Sequence, residues 1–214
     1  MGTGAGILFA AFFALGSGNA HCAAIDAVSA TTLEQFVAER CEGCHGPGGQ
    51  GTQPMFPRLA GQRAHYLYRE MSKFRDGKRK GTLMQVFLSG LQNSQIAALA
   101  TYLSGLRRVP DTGADEPLEE SGRLLYNAGN IIRNLPACAT CHDGEGQRQS
   151  HSDGVPPIPV LKWQHAAYLE DQLNRFVKGT RLPGQAPRHP FASHLNAAEI
   201  HSVSVYLSRV GETE

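Results

Sequence analysis

Two pentapeptides in the chain combine the residue types that can attach and ligate a haem group. They read CEGCH at residues 41–45 and CATCH at residues 138–142. In each of them, two thiols three positions apart can form thioethers with both vinyl groups of one haem, and the next residue places an imidazole under the iron. The pattern therefore predicts two covalently bound haem c groups.

Pairs of cysteines also suit other chemistry. Four cysteines could form a zinc site, and a Cys-x-x-Cys pair could carry out thiol redox reactions. Neither alternative explains why a histidine directly follows both pairs. The expected haem-attaching and proximal residues are Cys41, Cys44, His45, Cys138, Cys141 and His142.

The similarity between the two halves of the chain extends well beyond the pentapeptides. FPRLAGQRAHYLYREMSKFRDGKR at residues 56–79 aligns with IPVLKWQHAAYLEDQLNRFVKGTR at residues 158–181. Further on, LQNSQIAALATYLSGL at residues 91–106 aligns with LNAAEIHSVSVYLSRV at residues 195–210. An internal repeat of this kind indicates two units of the same architecture.

The closing segment of each copy has the apolar periodicity of an amphipathic helix. The apolar positions are Ile96, Leu99, Leu103 and Leu106 in the first copy and Ile200, Val203, Leu207 and Val210 in the second. Asn196 and Glu199 suit the N-cap of the second helix and its partner three positions later. We expect an all-α fold in which a short helix, the haem motif, a proline-containing loop, a middle helix, a ligand loop and the closing helix follow one another.

The segments between and before the two copies read differently. GILFAAFFAL at residues 6–15 is shorter than the roughly 20 residues of a membrane-spanning helix and suits the core of a signal peptide, which we predict over residues 1–20. We predict an N-terminal domain over residues 31–109, a polar and acidic linker over residues 110–118, and a C-terminal domain over residues 119–212.

The chain resembles the di-haem class I cytochromes c, and cytochrome c4 most closely. The resemblance covers about residues 31–211 and rests on both pentapeptides, on FPRLAGQRAHYL, and on GRLLYNAG at residues 122–129, which leads to PACATCH. It implies two tandem class I cytochrome c domains, each wrapping one covalent haem.

The resemblance also implies a role for two prolines. The carbonyl groups of Pro57 and Pro159 would accept the proton of the proximal imidazoles, which fixes ring orientation and raises the basicity of the ligand. The alternative is that these prolines only stiffen their loops.

A methionine is the sixth iron ligand that the resemblance implies for the first haem. Met84 lies seven residues before Leu91, as the family pattern requires. Met55 lies in the loop expected to pass the proximal side, and Met71 lies in the middle of a predicted helix, where core packing is the usual role. Ligation by His45 and Met84 would raise the reduction potential of this iron.

The second haem cannot have the same ligands, because no methionine follows Met84 in the sequence. The corresponding position is Arg188, whose guanidinium stays protonated and cannot bind iron. The adjacent His189 is one candidate ligand. An open or water-bound iron is another possibility, and a different ligand, such as His194 or His151, is a third.

The second copy also has a tryptophan where the first has a glycine, in LKWQ against LAGQ. Trp163 is the only tryptophan in the chain. It could fill the core of the second unit or take part in electron transfer, and core filling is the interpretation we favour.

Charge is divided unequally between the halves. Residues 31–110 hold 11 Lys and Arg against 5 Asp and Glu, a balance of +6, whereas residues 111–214 hold 9 against 13, a balance of −4. The run RDGKRK at residues 75–80 could steer an acidic partner toward the first haem, or could simply be a solvated surface.

These features favour electron transfer over catalysis. With 41% hydrophobic and 18% charged residues the composition is that of a globular protein, and neither a catalytic triad nor a pair of acid–base carboxylates is evident. We expect a bacterial, periplasmic, one-electron carrier between a respiratory donor and an acceptor such as a terminal oxidase. Its partners would be redox proteins rather than nucleic acid, with membrane contact only through those proteins or an uncleaved N-terminus.

Two other kinds of function remain compatible with the sequence. A haem enzyme, such as a peroxidase or an oxidoreductase of sulfur or nitrogen compounds, could react at an open second haem. Alternatively, the chain could be a ligand-binding sensor or the electron-transfer subunit of a dehydrogenase.

Overall fold

The fold was analysed in a computed structural model that describes residue 1 and residues 30–109, 120–143, 157–181 and 189–210. Nearly all of the predicted signal peptide, the whole predicted linker, His151 and Arg188 lie outside the described residues. Among the described residues, no helix combines the length and the apolar character needed to cross a bilayer.

The first unit is entirely helical apart from its loops. Its α-helices are α1 (Ala30–Arg40), α2 (Glu42–His45), α3 (Ala64–Arg75), α4 (Thr82–Leu88) and α5 (Asn93–Gly105). Helix α2 is the haem motif itself, and a 3₁₀ turn at Pro47–Gly49 leads the chain out of it.

The described residues of the second unit follow the same order, without a helix that corresponds to α4. Its α-helices are α6 (Glu120–Ala128), α7 (Ala139–His142), α8 (Ala166–Val177) and α9 (Ala197–Arg209). Within the described parts of the chain, pairing of extended backbone is limited to one isolated bridge between Asn130 and Leu135. The all-α fold is therefore confirmed, and α1, α2, α3 and α5 correspond to α6, α7, α8 and α9.

Each unit has its own hydrophobic core, built around its closing helix. In the first unit, Ile96, Leu99 and Leu103 of α5 are buried together with residues of α1 and α3. In the second, Val203 and Leu207 of α9 are buried against α6 and α8. The periodicity of the closing segments is thus confirmed, because the apolar stripe of each helix faces the other helices of its own unit.

The start of α9 has the predicted cap. The Asn196 side chain accepts a hydrogen bond from the backbone N–H of Glu199 at 2.9 Å, and the Glu199 carboxylate accepts one from the backbone N–H of Asn196 at 2.8 Å. This reciprocal pair satisfies two backbone donors that the helix itself leaves without partners. Arg133 also donates to Glu199 at 2.5 Å, which ties the loop before the second haem motif to α9.

Trp163 occupies a backbone position that suits glycine. Its φ is 61°, close to the 64° of Gly61, its counterpart in the first unit. The left-handed conformation costs a residue with a side chain roughly 1–2 kcal/mol. The indole Nε1–H donates to the carbonyl of Val210, and the ring packs against the second core. These contacts offset the backbone cost and support the core-filling interpretation.

The two units are joined by a reciprocal pair of hydrogen-bonded glutamines. The Gln62 amide accepts from the N–H of Val160 at 2.8 Å and donates to its carbonyl at 2.9 Å. Gln164, the counterpart of Gln62, does the same to Arg58, at 2.8 and 3.1 Å. Because both glutamines are buried, these four bonds hold the units in a defined relative position.

Next to the glutamines lies a buried polar group, which we call the interface cluster. Its members are Tyr66, Glu70, Arg79, Tyr168, Gln172 and Arg181. Arg79 donates across the interface to Tyr168 Oη at 3.1 Å and to Gln172 Oε1 at 2.7 Å. Its counterpart Arg181 donates back across the interface to Tyr66 Oη at 2.8 Å.

The interface cluster is unequal in charge, because it has one carboxylate for its two guanidinium groups. Glu70 Oε2 lies 2.7 Å from Arg79 Nη1 and 3.2 Å from Arg181 Nη2. The counterpart of Glu70 in the second unit is the neutral Gln172. Within the described residues, the two buried arginines therefore share one buried carboxylate, with which Lys73 also pairs.

Burial of Arg79 corrects one expectation from the sequence. The basic run 75–80 was expected to face solvent or a partner as a whole, but Arg79 is only 7% exposed. Its guanidinium also lies over the ring of Phe74, 4.4 Å from the centroid. Only Lys78 and Lys80 of the last three basic residues are exposed.

We expect the stability of the protein to decrease in acid because of Glu70. Burial alone raises the pKa of this carboxyl, but the charges of Arg79, Arg181 and Lys73 outweigh that effect and lower the pKa to about 2. A depressed folded-state pKa gives stability that is present above the unfolded value of 4.5 and is lost as the pH falls toward about 2. The expected loss is about 3 kcal/mol, at about 1.4 kcal/mol per pKa unit.

Urea unfolding of the haem-loaded protein between pH 7 and pH 2 measures this loss. Glu70→Gln is the matched variant, because it gives the first unit the amide that the second unit has at Gln172. The difference in free energy of unfolding between the two proteins should shrink as the pH falls. A constant difference over this range would contradict the assignment.

Candidate haem sites

Both haem motifs fold as single helical turns that gather their cysteines and histidine on one side. In the first unit the N–H of His45 donates to the carbonyl of Cys41 at 2.9 Å. Positions i, i+3 and i+4 of a helix share a face, so Cys41, Cys44 and His45 project together. In the second unit the same bond joins His142 to Cys138, at 3.0 Å.

A glycine directly follows the first motif and turns the chain back. Gly46 has a φ of 73°, and a Cβ at this position would lie 2.9 Å from the backbone nitrogen of Thr52. Only glycine fits such a conformation without strain. The turn brings the following loop, with Pro57, under the imidazole of His45.

The proximal histidines are oriented by backbone carbonyls, as the resemblance implied. His45 Nδ1–H donates to the carbonyl of Pro57 at 2.8 Å, and His142 Nδ1–H donates to that of Pro159, also at 2.8 Å. Burial lowers the pKa of both imidazoles, that of His142 to about 4. Both rings are therefore neutral near pH 7, the form that binds a metal ion.

The first site has a buried ring nitrogen that suits an iron ligand. With Nδ1 engaged, the lone pair of His45 is on Nε2, and this atom is buried with no hydrogen-bond partner in the described structure. A buried nitrogen without a partner lowers the stability of the folded protein by about 1–3 kcal/mol, and a bond to iron would remove this cost. The chemistry of the donor set thus agrees with a haem held by Cys41 and Cys44 above this imidazole.

The other interpretations of the cysteines are not supported. The four motif cysteines have free thiols, and within the described residues no group of three or more His, Cys, Asp or Glu is arranged to hold a metal ion. Burial raises the pKa of the Cys41 and Cys138 thiols to about 11, so both thiols are neutral near pH 7.

Met84 is the methionine expected to ligate the first haem. It lies on α4, half-buried, and packs against the first core. Met71 is part of that core and is 9% exposed, as expected for a packing residue, and Met55 is 60% exposed. The sequence predicted a loop around Met84, whereas in the structure this segment forms helix α4.

In the second unit the ring of His189 lies opposite that of His142. Their centroids are 6.3 Å apart and their planes differ by 17°. The ring of Phe176 lies on another side of His189, with a centroid distance of 5.3 Å. His194 points elsewhere, since its Nδ1 lies 3.1 Å from the carbonyl of Asn134. The structure thus brings His189, but not His194, next to the proximal histidine.

The interface cluster was not recognised from the sequence. A signal was present, because both long repeat segments end in Gly-x-Arg, at Arg79 and Arg181. In the first copy that arginine lies inside a basic run, which looks like a solvated surface. Its role becomes clear only from the reciprocal hydrogen bonds that Arg79 and Arg181 donate across the interface.

Comparisons with known proteins agree with this geometry. The family model for cytochrome c matches residues 33–107. Cytochrome c4 of Pseudomonas aeruginosa is 33% identical over 175 residues, which cover 81% of this chain and 85% of that protein. A protein of Stutzerimonas stutzeri named thiosulfate dehydrogenase electron acceptor is 33% identical over 184 residues, covering 83% of this chain and 82% of that protein.

Among solved structures, reduced recombinant cytochrome c4 from Pseudomonas stutzeri matches with a TM-score of 0.73 and 28% identity. The match covers 86% of this chain and 100% of that chain, so both units are included. Together with the two haem motifs, their carbonyl-oriented histidines and the reciprocal interface, these similarities show that the chain belongs to the cytochrome c4 family of di-haem electron carriers, with two covalently bound haem c groups.

Proposed function

We propose that the chain carries single electrons in the periplasm from a dehydrogenase to an acceptor such as a terminal oxidase. The main support is the fixed arrangement of two units, each with a neutral imidazole oriented by a backbone carbonyl. When bound, each haem supplies a one-electron redox couple. The glutamine bonds and the interface cluster keep the two sites at a constant separation, which electron transfer between them requires.

The residues proposed to hold the haem groups follow from the site geometry. Cys41 and Cys44 attach the first haem and Cys138 and Cys141 the second, with His45 and His142 as proximal ligands. Met84 is the proposed sixth ligand in the first unit, supported by its position on α4 and by the burial and exposure of Met71 and Met55.

A thiosulfate dehydrogenase is the donor that the relatives favour. One relative at 33% identity is itself named as the electron acceptor of this enzyme. Oxidation of two thiosulfate ions to tetrathionate forms one S–S bond and releases two electrons. A protein with two one-electron sites can accept both electrons from one such reaction.

The donor assignment can be tested with purified components. The oxidised di-haem protein is mixed with thiosulfate and a catalytic amount of thiosulfate dehydrogenase, and reduction is followed by haem absorbance. We expect reduction by two electrons per molecule, and none when the dehydrogenase is omitted. Absence of reduction with active dehydrogenase would contradict this donor, and turnover of thiosulfate or peroxide by the protein alone would support an enzyme instead.

The surface around α4 supports docking of the electron acceptor at the first unit. Helix α4 exposes Leu83, Val86 and Phe87, which are 61%, 64% and 39% exposed. The exposed Lys78 and Lys80 come just before this helix. Apolar contact surface with adjacent positive charge suits an acidic partner, because charge accelerates the encounter.

Reversal of Lys78 and Lys80 to glutamate should slow electron delivery to oxidase-containing membranes. We expect about a tenfold lower rate at low ionic strength, the lower end of electrostatic steering effects. The difference should disappear near 1 M salt, where the screening length is about 3 Å. Lys178→Glu, an exposed reversal after α8, is the control and should have little effect. Equal rates for the Lys78 and Lys80 variant at low salt would contradict docking at this surface.

A further inference from the structure

Two half-buried histidines in the second unit have the ring spacing of ligands on opposite sides of one metal ion. The ring centroids of His142 and His189 are 6.3 Å apart. An imidazole bound through a bond of about 2.0 Å has its ring centre about 1 Å further from the metal, so two opposite imidazoles have centres roughly 6 Å apart.

His189 also has a ring nitrogen that makes no hydrogen bond within the described residues. Its Nδ1 is buried and has no hydrogen-bond partner in the described structure. The ring is held by Phe176, whose own ring lies under the guanidinium of Arg181 at 4.6 Å. Packing against Phe176 therefore positions the imidazole, and the unpaired Nδ1 leaves a ring nitrogen available as a ligand.

We propose that His189 is the sixth iron ligand in the second unit, so that the haem attached there is held between two histidines. This inference rests on the proposed function, in which Cys138 and Cys141 attach that haem and His142 is its proximal ligand. It selects one of the three possibilities that the sequence left open. The spacing fits whichever ring nitrogen of His189 forms the bond.

Ligation by His189 makes the two units unequal in reduction potential. A thioether ligand raises the potential of a haem iron, and the second unit lacks one. The second unit therefore has the lower potential, and electrons that arrive there move favourably to the unit with Met84. An iron with both axial positions occupied by protein also has no vacancy for peroxide or a sulfur compound, which separates this chain from a haem enzyme.

Spectroscopy of the intact di-haem protein tests the proposal. Near-infrared magnetic circular dichroism and electron paramagnetic resonance should show one histidine–methionine and one histidine–histidine centre, both low-spin. The reduced protein should not bind carbon monoxide. In His189→Ala the second centre should become high-spin and bind about one equivalent of carbon monoxide, and added imidazole should restore the low-spin state.

His194→Ala is the matched control, since His194 lies in the same segment and should leave all spectra unchanged. His189→Met provides a second variant if the alanine variant does not fold, and it should add a second thioether-to-iron band. The proposal is overturned if the unaltered protein binds carbon monoxide at the second centre, or if neither His189 variant changes that centre. A haem count below two per chain would instead refute the proposed function.

Discussion

Replacement of Cys138 and Cys141 by alanine is expected to reduce the covalent haem content from two groups per chain to one. Thioether bonds need the sulfur atoms of both cysteines, and alanine offers none. Haem that survives denaturation, counted by mass and by the alkaline pyridine spectrum, measures the result. Replacement of Cys41 and Cys44 is the matched experiment and should also leave one haem.

The two cysteine variants should differ in the haem that each retains. The protein without Cys138 and Cys141 should show the far-red thioether-to-iron band of ligation by Met84. The protein without Cys41 and Cys44 should lack this band and show only histidine ligation. Two covalent haem groups in either variant, or identical spectra in both, would contradict the assignment of the motifs.

Substitution of Met84 by alanine should abolish the thioether-to-iron band and lower the potential of the first haem. Axial ligands set haem potentials over a range of about 0.8 V, and we expect a fall on the order of 0.1 V. Redox titration followed by absorbance measures it. The first unit would then lose its advantage in potential, and electron delivery to the acceptor should slow.

The other two methionines provide matched controls for Met84. Met71→Ala removes a buried core side chain and should destabilise the protein by about 2–5 kcal/mol without loss of the band. Met55→Ala changes a residue that is 60% exposed and should alter neither property. Loss of the band in the Met71 variant, with the Met84 variant unchanged, would show that the wrong methionine was assigned.

The helices and the haem motifs could be predicted from the sequence because their signals are local. A repeated pentapeptide specifies its own chemistry, and the stripe of Ile200, Val203 and Leu207 specifies the buried face of α9. The cap formed by Asn196 and Glu199 likewise involves residues only three positions apart. Such features depend little on the rest of the chain.

Features that depend on distant residues could not be predicted in the same way. Burial of Arg79 requires Tyr168 and Gln172, about 90 positions further along the chain, to complete its hydrogen bonds. The approach of His189 to His142 depends on how the chain between them folds. For the second haem the sequence left several ligands open, and the position of the His189 ring opposite that of His142 is the observation that supports ligation by His189.

The reciprocal glutamine bonds give the protein the internal symmetry of a homodimer whose two subunits have been fused into one chain. In a true homodimer every change is made twice, so its two redox centres would have equal potentials and neither direction of transfer would be preferred. Fusion allows the copies to differ at single positions, as at Glu70 and Gln172, while the reciprocal glutamine bonds are kept. With the proposed ligands, these symmetric contacts would hold together two centres of unequal potential, so that electrons would move preferentially from the second unit to the first.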